Sequence, residues 1–288
     1  TPSSDYFDEG DHIAILNTTE NDTILNVPKI GGILGNVVLY GGNNTITVTS
    51  VGDIYGSIDT GDGNDTVTTE DVGWIHSYVN LRGGNNTVNI TDGTFITGDI
   101  DTEGGTDTFF LDDSSHADGT INAGGGVDTL TLTEQSYIGG TVNLGAGNDI
   151  VTVSDDAHID GSINGDAGDD TITLEDNATV GGNIDLGADD DTFMANTGTT
   201  VTGNIDLGSG DDKAYIDVNN QTFYADLDTG DGSSIFIIEN ATVEVSGADT
   251  PSFTGGATDG TVDKSHTING ETFTVTGDYY LFDNTTID

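Results

Sequence analysis

The chain of 288 residues contains no cysteine, three prolines and four basic residues, Lys29, Arg82, Lys213 and Lys264. The lack of cysteine excludes disulfides and thiolate metal sites. It also favours a secreted protein, because a cytosolic protein of this length usually keeps a few thiols. Nucleic acid and anionic membranes are poor partners, and we expect neither, since both are bound through clustered Lys and Arg side chains. No run of about 18 apolar residues occurs, so we expect no membrane insertion.

Acidic residues are abundant: 51 Asp and Glu give the chain a formal net charge of −47. A compact fold with this charge repels itself, which makes cations its natural partners. Acidic chains with few apolar residues are often disordered. The regular spacing of the apolar residues argues against disorder here.

The sequence repeats itself every 21 residues, as in "GSIDTGDGNDTVTT", "GTVNLGAGNDIVTV" and "GNIDLGADDDTFMA". Units begin at Asn36, Ser57, Tyr78, Asp99, Thr120, Thr141, Ser162, Asn183, Asn204 and Asp226, and a degenerate unit at residues 14–35 precedes them. We number the places within a unit from 1 to 21. The second place is aliphatic throughout: Val37, Ile58, Val79, Ile100, Ile121, Val142, Ile163, Ile184, Ile205 and Leu227.

Each unit shows two short strand patterns. Places eleven and thirteen are apolar with a polar residue between them, as at Val151 and Val153, and a second alternating run follows at residues 157–161. No segment has a helical period. Strands that recur at a fixed period and have one apolar face bury that face by stacking unit on unit. We therefore predict an all-β fold, a single-stranded parallel β-helix (β-solenoid) of about ten coils.

The repeat divides the chain into three parts. Residues 1–35 are an acidic segment and an irregular capping coil, residues 36–247 form the solenoid, and residues 248–288 are a loop followed by C-terminal strands. Asn269-Gly270 and Gly277-Asp278 are typical of hairpin turns, which predicts a C-terminal β-hairpin as a cap or assembly segment. Because a solenoid end exposes an open coil, the apolar run at 279–282 suggests self-association into a fibre or layer through this segment.

The acidic turn at places five to nine carries the candidate site. Place nine is acidic or an amide in nine units, and place seven is almost always Gly: the place-nine residues are Asn44, Asp65, Asn86, Asp107, Asp128, Asp149, Asp170, Asp191 and Asp212. Stacked carboxylates about 4.8 Å apart repel by roughly 1 kcal/mol per pair in water and roughly 3 to 4 kcal/mol at a protein surface. Such a column requires bound cations or raised pKa values.

Calcium fits this turn, since it takes oxygen ligands from carboxylates, Asn side chains and backbone carbonyls. Glycine allows backbone conformations that turn carbonyls toward an ion between coils. We predict calcium ligands at place nine, at the neighbouring places three and eight, and at one further aspartate of the turn: Asp59, Asp62, Asn64, Asp65, Asp101, Asp107, Asp128, Asn148, Asp149, Asp169, Asp170, Asp185, Asp190, Asp191, Asp206, Asp211 and Asp212.

The stretches "LGAGNDIV" (144–151) and "GDAGDDTI" (165–172) resemble the calcium-binding nonapeptide of repeats-in-toxin (RTX) proteins, G-G-x-G-x-D-x-U-x. The positions that match the last Gly, the polar residue, the Asp and the apolar place are Gly147, Asn148, Asp149 and Val151. The resemblance implies a parallel β-roll of a bacterial secreted or surface protein, with calcium between turns. RTX rolls carry the motif twice per turn and this chain once per unit, so one edge of the rod is expected to hold ions.

Other interpretations stay open. A solvated acidic edge tuned to high salt would use the same residues. Places ten and twelve are often both Thr, as at Thr129 and Thr131, and such ladders resemble those of insect antifreeze proteins, which makes ice binding the alternative function. A polysaccharide-acting enzyme is disfavoured, because near-identical turns lack the single distinct site that catalysis requires.

Three aromatic residues have no assigned role in this interpretation. His116 and His158 share place eighteen two coils apart, and Trp74 has no evident partner.

The sequence thus favours a non-catalytic, secreted or cell-surface protein with a structural or adhesive role. An adhesin stalk, a surface-layer unit or a fibre subunit would each fit, with calcium making the rod rigid.

Overall fold

A computed structural model of the chain describes residues 24–27, 32–49, 52–196 and 198–216, and beyond them the backbone of the strands within 217–287. The predictions for residues 1–23, the loop at 248–263 and the two turns at 269–270 and 277–278 lie outside the described residues. Every described element is a β-strand. Among these residues we find no helix with the length and apolar character of a membrane span.

Each coil contributes three strands, one to each of three parallel sheets. The sequence pattern predicted two strands per unit, and that prediction is wrong. The third strand lies at places two and three, as in Ile100–Asp101, and is often only two residues long. Two residues are too few to show a period-two alternation, so the pattern identified this position only as part of the core.

The first sheet, called the long sheet, has 13 strands and covers places ten to fourteen. Its strands are Ile24–Val27, Thr45–Thr49, Thr66–Glu70, Thr87–Ile90, Thr108–Leu111, Thr129–Leu132, Ile150–Val153, Thr171–Leu174, Thr192–Ala195, Lys213–Tyr224, Ile235–Glu244, Tyr280–Asp283 and Thr286–Ile287.

The second sheet, called the narrow sheet, has nine strands at places eighteen and nineteen. They are Gly32–Ile33, Asp53–Ile54, Trp74–Ile75, Phe95–Ile96, His116–Ala117, Tyr137–Ile138, His158–Ile159, Thr179–Val180 and Thr200–Val201. The third sheet, called the turn sheet, has 11 strands and leads into the acidic turn. The strands of the turn sheet are Val37–Val38, Ile58–Asp59, Val79–Asn80, Ile100–Asp101, Gly104–Gly105, Ile121–Gly126, Val142–Ala146, Ile163–Ala167, Ile184–Asp185, Ile205–Asp206 and Leu227–Asp228.

The stacking register is one repeat per coil. Thr129 pairs with Ile150, and Ile150 pairs with Thr171. Because Cβ atoms alternate along a strand, alternate places face inward. The constant register then puts residues of the same inward place above one another, so that they form a column of like residues. In the fifth unit the inward aliphatic residues are Ile121, Leu130, Leu132 and Ile138, each at most 1% exposed. Each such side chain contributes roughly 1.5–3 kcal/mol through its burial.

The predicted parallel β-solenoid is confirmed, with about nine coils within residues 36–216. Strands about 4.8 Å apart make these coils a rod of roughly 40 Å. The neighbouring units also stack in register. Ile24–Val27 pairs with Thr45–Thr49, and Leu227–Asp228 pairs with Ile205–Asp206.

The described C-terminal strands include the predicted β-hairpin. Lys264–Ile268 pairs antiparallel with Glu271–Val275, as the Asn269-Gly270 signal predicted. The turn at 277–278 lies outside the described residues. The strand Tyr280–Asp283 pairs in parallel with Ile235–Glu244 of the same chain, at the end of the long sheet.

Candidate metal site

The place-nine residues point into the coil. Place nine precedes the long sheet and has the same parity as the apolar places eleven and thirteen, so the alternation of a strand turns it inward. The structure buries each of these side chains to at most 1% exposure: Asn44, Asp65, Asn86, Asp107, Asp128, Asp149, Asp170, Asp191 and Asp212, which we call the place-nine column. A fully solvated acidic edge therefore does not describe these positions.

One carboxylate oxygen of each aspartate caps the backbone of the preceding coil. The Asp107 N–H donates to Asp128 Oδ1 at 2.7 Å, and the Asp128 N–H donates to Asp149 Oδ1 at 2.7 Å. The same bond recurs in the next two coils, at Asp170 Oδ1 and Asp191 Oδ1. Because a buried backbone N–H requires an acceptor, Asp or Asn at place nine also has a structural role that sequence reasoning missed.

The other carboxylate oxygen, Oδ2, is buried without a donor in five consecutive coils. No described residue donates a hydrogen bond to Oδ2 of the place-nine aspartates in these coils, Asp107, Asp128, Asp149, Asp170 and Asp191. Burial, with repulsion from neighbouring carboxylates, raises the pKa of Asp128, Asp170 and Asp191 to about 7. Burial also raises the pKa of Asp149. Each oxygen thus requires either a proton or a cation, because an unpaired buried charge is costly.

Glycine at place seven lets the turns stack closely. Gly147 has φ +149°, and a Cβ built on it would lie 1.3 Å from the carbonyl oxygen of Gly126. The same clash would occur one coil earlier, where a Cβ on Gly126 would lie 1.4 Å from Gly105 O. Only glycine fits this approach. The place-seven carbonyl oxygens of successive coils therefore lie above one another along the rod.

The predicted ligands at place eight lie beside the same turns but face solvent. The Asp169 N–H donates to Asn148 Oδ1, and the Asp190 N–H donates to Asp169 Oδ1, both at 3.1 Å. Asp211 continues this exposed row, and Asn64 and Asp62 are exposed in the second unit. These side chains cap N–H groups of the following coil, whereas the place-nine residues cap the preceding coil.

The predicted ligands at place three lie on the outer face of the turn sheet. Their side chains point away from the interior of the coil, whereas the place-nine side chains point into it. Asp59 forms a bidentate ion pair with Arg82, whose guanidinium lowers the pKa of Asp59. Asp101 accepts a hydrogen bond from Asn122. Asp185 and Asp206 pair on neighbouring strands, and burial followed by repulsion from Asp206 raises the pKa of Asp185.

The described side-chain carboxylates do not form a metal site by themselves. Within the described ranges, no group of three or more His, Cys, Asp or Glu side chains could hold a metal ion. A cation at the acidic turn would therefore draw on backbone carbonyls as well as the place-nine carboxylate. Both are hard oxygen donors, the class that calcium prefers.

An aromatic column on the narrow sheet was missed. Trp74, Phe95, His116, Tyr137 and His158 occupy place eighteen of successive coils, with neighbouring ring centroids 4.5 to 5.8 Å apart. Trp74 is thus not isolated, and the two histidines are separated by a tyrosine ring. Aligning place eighteen across the units would have revealed the column, since stacked aromatic pairs stabilise neighbouring strands.

A second acidic turn was also missed, at places fifteen and sixteen. Its residues line an open groove of about 730 Å³: Asp113, Ser114, Glu134, Gln135, Asp155, Asp156, Asp176 and Asn177. All of them adopt positive φ, which Asp and Asn tolerate better than most residues. These side chains are exposed, unlike the place-nine column.

Comparison with known proteins gives one structural match. The crystal structure of a hyperactive, Ca²⁺-dependent, β-helical antifreeze protein from an Antarctic bacterium superposes with a TM-score of 0.56 and 23% sequence identity. The match covers 83% of this chain and 81% of that one. No family model matches the chain, and no curated protein does. The likeness supports the β-helical fold, and membership of the RTX family stays a prediction.

Proposed function

We propose that the chain is a calcium-dependent, non-catalytic β-solenoid rod with a structural or adhesive role outside the cell. The observation that carries this proposal is the run of five consecutive buried carboxylates whose Oδ2 atoms receive no hydrogen bond from a described residue, at Asp107, Asp128, Asp149, Asp170 and Asp191. A calcium ion at each turn would neutralise these oxygens. The ion would also join adjacent coils, since Oδ1 of each carboxylate contacts the preceding coil.

The donor set favours calcium over other metals. The acidic turn offers carboxylate and carbonyl oxygens, the chain has no thiol, and the described turns contain no histidine. Nitrogen and sulfur ligands are those that zinc and copper prefer. The structurally similar antifreeze protein is described as Ca²⁺-dependent, which supports the same ion here.

The rod-like repeat supports a scaffold role rather than catalysis. Successive acidic turns repeat similar side chains, and one described surface groove is lined by a repeating set of acidic, amide and hydroxyl residues. Catalysis requires distinct groups converging on one point. The absence of cysteine and the high negative charge agree with a secreted or cell-surface location, where millimolar calcium is available.

A calcium titration tests this proposal. Protein freed of divalent metal should lose β-sheet signal in circular dichroism and melt at a lower temperature, and calcium should restore both while magnesium does so poorly. Light scattering in the same samples would report any self-association. A metal-free protein with the full β-sheet signal and an unchanged melting temperature at pH 7.5 would contradict the proposal.

Ice binding is a second candidate, favoured by one surface feature. Outward-facing threonines occupy place ten of most coils of the long sheet: Thr45, Thr66, Thr87, Thr108, Thr129, Thr171 and Thr192. Their strands pair in register, so the hydroxyl and methyl groups form a regular row with a spacing of about 4.8 Å. A parallel row at place twelve includes Thr131, Thr152 and Thr173. The similar solved structure is that of an antifreeze protein.

Thermal hysteresis measurements distinguish the two functions. Under the ice-binding hypothesis, Thr131→Tyr should abolish hysteresis, because a bulky ring disrupts the flat row. Thr179→Tyr is the matched control, since it lies on the narrow sheet two coils from Tyr137 at the same place. If the unmodified protein shows no hysteresis with calcium bound, the ice-binding candidate is wrong.

A further inference from the structure

Two turns of the place-nine column carry an amide instead of a carboxylate. At Asn86 the oxygen Oδ1 keeps the capping role and accepts a hydrogen bond from the Asp65 N–H at 3.0 Å. The amide nitrogen Nδ2 donates to the carbonyl oxygens of Arg82 at 3.0 Å and Gly84 at 3.2 Å. The amide therefore satisfies carbonyls at places five and seven of its own turn.

Asn44 forms the same type of contact two coils earlier. Its Nδ2 donates to Gly42 O, the place-seven carbonyl of its own turn, at 3.1 Å. It also donates to Asp65 Oδ1 at 2.8 Å. Both described Asn turns are thus closed by N–H donors from the place-nine side chain.

In the turns with Asp at place nine, the carboxylate oxygen Oδ2 corresponds to the amide nitrogen Nδ2 of the Asn turns. At Asp170, Oδ2 is directed back across its own turn, since a Cβ on Gly165 would lie 2.4 Å from it. This oxygen has no proton to donate when the carboxyl is ionised, and it lies within a turn that is rich in carbonyl acceptors. A carboxylate oxygen among carbonyl oxygens is repelled by them, even where a carbonyl such as Asp166 O also accepts a backbone N–H, and a cation removes that repulsion.

We propose that the Asn44 and Asn86 amides take the place of a calcium ion, so that their turns bind none, whereas five successive Asp turns each bind calcium: those of Asp107, Asp128, Asp149, Asp170 and Asp191. This inference rests on the calcium dependence proposed above. At Asp149 the residues that would hold the ion are the Asp149 carboxylate and the backbone carbonyls of Gly145 and Gly147. The two Asn turns near the N-terminal end of the rod are then metal-independent, whereas the successive turns from Asp107 to Asp191 are metal-dependent.

Exchange of Asp and Asn tests the inference. The calcium content of the purified, folded full chain is measured by equilibrium dialysis with ⁴⁵Ca, and melting is followed by circular dichroism. Asp149→Asn should lower the number of bound ions by one and raise the melting temperature of the metal-free protein, because the new amide closes the turn. Asp149→Ala should also lose one ion but should not gain metal-free stability. Asn86→Asp should add one ion and lower the metal-free melting temperature.

The outcomes distinguish the proposed calcium dependence from the inference that an Asn amide takes the place of an ion. If the unmodified protein binds calcium but Asp149→Asn retains the same number of ions, the Asn-for-ion inference is overturned and calcium dependence stands. The inference is also overturned if Asp149→Asn melts like Asp149→Ala without metal. If the unmodified protein binds no calcium, both proposals fail. Asp149→Asn decides the question even if Asn86→Asp does not fold.

Discussion

Removal of divalent metal should make the stability of the rod fall as pH rises from about 4 to about 7. Burial raises the pKa of Asp128, Asp170 and Asp191 from an ordinary value of 3.8 to about 7 in the folded chain. In this window the folded state binds more protons than the unfolded state, so the free energy of unfolding decreases with increasing pH. Under the calcium proposal, a bound ion would replace these protons and should remove most of the dependence.

The magnitude follows from the size of the shift. A pKa change of about 3 units at roughly 1.4 kcal/mol per unit corresponds to on the order of 4 kcal/mol for one carboxylate. The three carboxylates together contribute less than three times that amount, because the raised pKa of each one already includes repulsion from its neighbours in the column. With roughly 2–4 °C per kcal/mol for a chain of this size, the melting temperature should fall by about 10 °C or more.

Thermal melting of protein in resin-treated, metal-free buffers between pH 4.5 and 8 measures this dependence. Adding 0.5 M NaCl shortens the Debye length to roughly 4 Å and suppresses the general repulsion of the negative chain. A triple Asp→Asn variant at the three column positions should lose the dependence. The control is the same change at three exposed positions of the second acidic turn, Asp113, Asp155 and Asp176. A flat or rising melting temperature for the unmodified metal-free protein would refute the reasoning.

Three further outcomes can be checked with calcium present. Ile172→Ala should lower the free energy of unfolding in urea by about 2–5 kcal/mol, whereas the outward Thr173→Ala should change it by about 0.5 kcal/mol or less. Gly147→Ala should prevent normal coil stacking and abolish the cooperative melting transition, while Gly125→Ala, where the nearest atom is 3.6 Å from the new Cβ, should be tolerated. Arg82→Ala should cost no more than about 1 kcal/mol, since its ion pair is partly exposed, and a larger loss by urea titration would indicate a packing role.

The 21-residue period predicted most of the fold, because one aliphatic residue at a fixed place becomes a buried column when coils stack. Ile121, Val142 and Ile163 illustrate this point: they recur in the sequence and pair directly in the structure. The third sheet could not be predicted from alternation, since strands such as Ile184–Asp185 have only two residues. Its existence depends on where the chain bends, and a bend leaves a weaker sequence signal than an apolar face.

The candidate site was predicted in part. Composition and spacing identified the place-nine aspartates and the need for cations or raised pKa values. The inward orientation of Asp149 could have been inferred from its parity with Val151 and Val153, but Asp is rarely expected in a core. The roles of Oδ1 as a backbone cap and of Asn86 as a donor to its own turn depend on distances that no sequence pattern encodes.

The constant register makes the coil an interchangeable unit of length. If residues 141–161 were excised, Gly140 would be joined to Ser162, and Ile121 would face Ile163 across the new junction with the same spacing as before. Every column would continue without a break. A gene with this organisation can lengthen or shorten its product by recombination between units, in increments of about 4.8 Å, without inventing a new interface each time.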